Sequence, residues 1–140
     1  MVRKIFALAA AAVVLAGLGF QCRADTELRR VVPRDNESVV GQAALWTVKN
    51  NGQCSIRATP DIKIITQPSH GTVRLTQANI GIPKGSGCAN PVFGVVVLYR
   101  PVAGFVGEDR FTYDYPRDSM VFNWVGAVPP GLRNLILTVR

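Results

Sequence analysis

A few side chains in this sequence have the types and spacing that carry chemistry. Ser69 stands beside His70, the residue types a hydrolase uses as nucleophile and base. Neighbours in sequence seldom face each other in those roles, and no G-x-S-x-G turn presents a serine in this chain. Glu108 and Asp109 supply two carboxylates, the equipment of glycoside hydrolysis. Adjacent residues of a strand point to opposite faces, so this pair does not flank one bond. A copper centre assembled from His70, Cys88 and Met120 falls short as well, because a blue-copper site takes two histidines with its thiolate and His70 is the only histidine. No cofactor and no metal is expected from these residues.

The cysteines lead elsewhere. The chain opens with Arg3 and Lys4, an uncharged run over 5–20, and a polar step QCRADT with the small residue Ala24 placed for cleavage, which reads as a secretory signal peptide over 1–24. The run is shorter than the roughly 20 apolar residues of a membrane span. A lipoprotein reading that acylates Cys22 is disfavoured by Phe20 and Gln21 before it. Residues 25–140 then form one domain, with no integral membrane segment left after cleavage and a secreted or periplasmic destination. Cys54 and Cys88 remain as an even pair in an oxidising compartment, where a disulfide is expected.

Charge narrows the partner class. The formal net charge is +7, and Arg3, Lys4 and Arg23 belong to the leader, so the domain itself is only mildly basic. Its positive residues lie singly or in pairs among apolar strands, which excludes a nucleic-acid footprint and leaves a weak attraction to an anionic envelope or polysaccharide.

The elements that must position these residues are strands. Outside the leader, short β-branched and aromatic runs recur between Gly, Pro and Asn punctuation. The expected strands are 28–33, 43–49, a hairpin over 61–76 turning at Pro68 and Gly71, a central apolar strand over 92–100, an alternating strand over 110–115, a weaker one over 120–126, and a closing strand over 132–140. A long loop over 76–91 needs tethering, and a bridge from Cys88 to Cys54 supplies it. About seven strands at this spacing predict an all-β, immunoglobulin-like two-sheet β-sandwich.

The order QPSHGTV, then Tyr99-x-Pro101-x-x-Gly104-Phe105-x-Gly107-x-Asp109-x-Phe111-x-Tyr113, then a final hydrophobic strand, resembles the bacterial immunoglobulin-like and cadherin-like repeat domains of secreted and surface proteins. The resemblance covers most of the chain from about Ala43 onward. It implies an architectural motif: Gly104 and Gly107 permit tight turns, Phe105 plugs one end of the sandwich, Asp109 accepts backbone N–H bonds, and Phe111 and Tyr113 enter the core. Many relatives bind calcium through an Asn-Asp-x-Asp segment, whereas this chain has Asn50-Asn51-Gly52-Gln53 at that place and lacks the carboxylates.

The functional expectation is a non-enzymatic module that binds a protein or glycan of the cell envelope. Met120, Phe122 and Trp124 fall on one side of an extended segment beside Pro129-Pro130-Gly131, where they either anchor a partner or cap the core. Two alternatives differ in class. One is a small secreted enzyme or inhibitor using the 78–91 loop with Lys84 and Ser86. The other is a structural envelope component that self-associates through an uncovered strand edge, with the final strand as its candidate.

Overall fold

The structure, a computed structural model, describes residues 25–82, 84, 87–115 and 131–140. These residues form β1 (Thr26–Val32), β2 (Ser38–Ala43), β3 (Leu45–Val48), β4 (Cys54–Ala58), β5 (Lys63–Thr66), β6 (Gly71–Ile80), β7 (Val92–Pro101), β8 (Gly107–Tyr115) and β9 (Gly131–Val139), with no helix among them. Seven of the strands make two facing sheets, ordered β1-β9-β8-β5 and β2-β7-β6, while β3 and β4 form a separate hairpin. β1 runs parallel to β9 and the other pairings are antiparallel. This is an immunoglobulin-like sandwich whose first strand sits in the sheet of the last. The leader segment and the 120–126 strand expected from sequence lie outside the described residues.

Period-two alternation sets the core. In β8, Asp109, Phe111, Tyr113 and Tyr115 are buried while Glu108 and Arg110 are exposed. In β9 the inward set is Arg133, Leu135, Leu137 and Val139, and β7 adds Val95, Val97 and Tyr99 from the opposite sheet. The alternate residues of β7 face a second apolar cluster: Val92 and Val96 are buried there with Ala44, Cys54 and Ile80, and Trp46, Ala78 and Cys88 pack at its rim. The β3–β4 hairpin therefore covers the outer face of the three-stranded sheet. Burial on both faces explains why β7 is apolar almost throughout.

The disulfide between Cys54 and Cys88 fastens that cover. It joins the start of β4 to the segment leading into β7. Asn90 reinforces the junction, accepting the Cys54 N–H at 2.7 Å and donating to the Cys54 carbonyl at 3.0 Å.

Several sequence expectations need correction. The 61–76 segment is not a hairpin: β5 pairs with β8 and β6 pairs with β7, so the Pro68–Gly71 turn carries the chain from one sheet to the other. The 43–49 strand is divided, with β2 ending at Ala43 and β3 beginning at Leu45. The loop expected from 76 begins only after Ile80, where β6 ends. The closing strand is no uncovered edge, since β9 is paired on both sides, with β1 and with β8. Its run Leu135-Ile136-Leu137, all buried, fits that central position.

Candidate functional site

At one end of the sandwich a carboxylate, a phenol and an imidazole come together. Asp109 opens the alternating part of β8, is 3% exposed, and faces the turn between β5 and β6. Its Oδ1 accepts the N–H of Ser69 and its Oδ2 the N–H of His70, both at 2.9 Å. The Tyr99 hydroxyl donates to Oδ2 at 2.8 Å, and the Arg110 N–H reaches Oδ1 at 2.9 Å. Burial pushes this carboxyl up, but the Tyr99 hydroxyl and the three N–H groups together hold it below the usual carboxylate range. Tyr99 is raised above the ordinary phenol range, first by burial and then by the neighbouring carboxylate.

Ser69 contributes its backbone to this network, with its hydroxyl playing no part in these bonds. His70 lies with its Nδ1 3.8 Å from Asp109 Oδ1, and its ring stacks on Phe105 with centroids 4.3 Å apart. The Val102 N–H donates to the His70 carbonyl at 2.8 Å. Gly104 takes φ +76°, a turn conformation that a side chain hinders, and donates its N–H to Asp35 Oδ1 at 2.8 Å. Gly107 follows at the start of β8, beneath the Phe105 ring. Two carboxylates, Asp35 and Asp109, thus tie three connections together at one end of the sandwich. Glu108 points away, to Arg110 on the outer face, so the adjacent carboxylates do not converge.

A second site lies between the sheets along their β1 and β2 edges. It is a cleft of about 610 Å³. Thr26, Leu28 and Arg30 line it from β1, and residues 39–42 line it from β2. Tyr113 and Tyr115 of β8 and Arg133 of β9 form its inner wall. Arg133 is 1% exposed, yet it donates to Thr26 Oγ1 at 2.9 Å, and its guanidinium lies 5.8 Å from the centre of the Tyr115 ring. Gly41 is needed for close approach, because a Cβ there would meet the Tyr113 hydroxyl oxygen at 2.7 Å.

The electrostatics of the cleft are one-sided. Burial raises Tyr113 while Arg133 and Arg30 pull it back, which places both guanidinium fields at that hydroxyl. Burial and the neighbouring Tyr113 push Tyr115 up to about 12 despite Arg133. The lining holds two guanidinium groups and no carboxylate among the described residues. Of the two, Arg30 is the exposed one, and Thr26 and Gln42 are further polar groups of the lining.

Sequence reasoning placed the corner residues together and missed the cleft. Arg133 carries the signal that was there to be read: it shares the odd-numbered phase of Leu135, Leu137 and Val139, so the strand turns it inward. Met120, Phe122 and Trp124 lie outside the described residues, as does Ser86. Lys84 is exposed. Among the described residues there is no group of three or more His, Cys, Asp and Glu side chains placed to hold a metal ion, and no helix long and apolar enough to cross a membrane. The disulfide is compatible with an extracellular or periplasmic protein. Comparison with protein-family models, curated proteins and solved structures returns no match.

Proposed function

We propose that this chain is a secreted or periplasmic, non-enzymatic module, akin to the bacterial immunoglobulin-like and cadherin-like repeat domains, that binds an acidic glycan of the cell envelope. The observation that carries this reading is the cleft between β1 and β2, whose lining includes the exposed Arg30 and, among the described residues, no carboxylate. A guanidinium presents a planar fork of donors that suits a carboxylate or phosphate.

A non-catalytic role is supported by how the corner spends its polar groups. Asp109 is saturated by four donors and the Ser69–His70 pair serves as a turn backbone. The leader expected from sequence and the disulfide support the compartment.

Binding of purified protein to envelope fractions tests the reading, with Arg30→Glu as the probe because Arg30 is exposed on β1. The variant is expected to keep the native melting temperature and to weaken binding by about tenfold or more. Retained binding after protease treatment of the fractions supports a glycan, and its loss assigns a protein partner instead. No binding together with hydrolysis of a generic ester or glycan overturns the proposal.

A further inference from the structure

The two sheets have four edges, and three of them carry features that discourage strand addition. β1 is studded with Glu27, Arg29 and Arg30. β2 is broken by a register shift between Val39 and Gly41. β5 is four residues long, carries a shift between Ile64 and Thr66, and is followed by Pro68. These are the ways natural sheets blunt an edge.

β6 has none of them. It runs for ten residues, GTVRLTQANI, in unbroken register with β7 and without proline. Among the described residues it pairs with β7 alone, and no described strand takes up the backbone donors and acceptors of its other side. Its one charge, Arg74, is neutralised within the same molecule by Glu37, with Nε–Oε1 at 2.7 Å and Nη2–Oε2 at 2.5 Å. Charge repulsion, the usual gatekeeper, is thereby removed. Leu75, on the inward side of the strand opposite Val97, is nonetheless 37% exposed, beside a hollow of about 260 Å³ walled by Pro60, Ile62 and Val95.

We infer that β6 is a self-association edge, on which a second copy of this chain adds its own β6 antiparallel about a two-fold axis. An antiparallel pair of identical strands is self-complementary, the requirement for a closed dimer. Residues directly opposite share a face, so the axis sets one residue against itself. Centring on Arg74 sets the two Arg74–Glu37 pairs against each other and does not oppose the leucines. Centring on Leu75 sets Arg74 against Thr76 of the second copy and buries the two leucines against each other over the hollows. The result is a continuous six-stranded sheet through the dimer, with the β1–β2 clefts left open on the far sides.

Sedimentation of the disulfide-intact protein from low micromolar to near-millimolar concentration tests this. A reversible monomer–dimer equilibrium is expected. Leu75→Lys should raise its dissociation constant by about tenfold or more, and Gln77→Lys, at an exposed position on the same face, should act in the same direction if Leu75→Lys fails to fold. Leu75→Cys should cross-link two copies under oxidation, while Val39→Cys on the opposite edge should not. A strictly monomeric wild-type protein, a dimer indifferent to both lysines, or cross-linking at Val39 instead overturns the inference.

Discussion

The hydroxyl of Tyr99, on β7 of the three-stranded sheet, donates to the carboxylate of Asp109, on β8 of the four-stranded sheet, at 2.8 Å. This bond crosses the sandwich, and the same carboxylate holds the turn that carries the chain between the sheets. An asparagine keeps the shape but meets one of these donors with an N–H of its own. Asp109→Asn should therefore cost about 2–4 kcal/mol in a urea unfolding titration, the penalty of leaving buried donors unmet beside a lost charged acceptor. Tyr99→Phe, which removes one donor and leaves the carboxylate three others, should cost about 1 kcal/mol.

Acid should act through the same group. The Asp109 carboxyl is held below its ordinary value, so its contribution to stability is present above the unfolded value of about 4 and is lost as pH falls through the lower folded value. Unfolding free energy measured between neutral and strongly acidic pH should drop across that window in the native protein. In Asp109→Asn the drop should be shallower.

Alkali has the opposite sign of action on the tyrosines. All three, Tyr99, Tyr113 and Tyr115, are raised, Tyr115 to about 12. Their stabilising contribution is complete below the unfolded value of about 10 and disappears as pH climbs through the folded values. Ultraviolet titration of the native protein should show almost no phenolate near pH 10, followed by ionisation together with unfolding. One tyrosine titrating freely near pH 10 contradicts the buried placement.

Reducing the disulfide should loosen the β3–β4 cover before it harms the sandwich, because Cys54 and Cys88 belong to the second cluster. The bridge closes a loop of about 35 residues, for which chain entropy gives roughly 3–4 kcal/mol. Hydrogen exchange after reduction, or in Cys54→Ser with Cys88→Ser, should speed up in β3 and β4. Amides shared by β8 and β9 should remain the slowest.

Much of the fold was legible where burial imposes a period. The rings of β8 and the two-sided apolar run of β7 announce their faces directly, and the cysteine pair announced its bridge. β2 was not legible, because Gly41 and Gln42 follow a turn-rich stretch and the strand's pattern is interrupted by a bulge. Turn residues at Pro68 and Gly71 signal a reversal, but nothing local says which sheet receives the returning strand, and here each strand found a partner far away in sequence. The cleft was hidden for a related reason: Thr26, Gln42, Tyr113 and Arg133 come from four strands, and only the parallel pairing of β1 with β9 brings them together.

The central claim divides the molecule into an architectural corner at Asp109 and a binding cleft at Arg30, and one crossed comparison tests it. Envelope-binding isotherms are measured for Asp109→Asn and Arg30→Glu at a temperature where both are folded, with unfolding curves taken in parallel. The account predicts that the Asp109 variant loses stability and binds like the native protein, while the Arg30 variant keeps its stability and loses binding. Loss of binding at Asp109 in a folded protein, with Arg30→Glu binding normally, contradicts it.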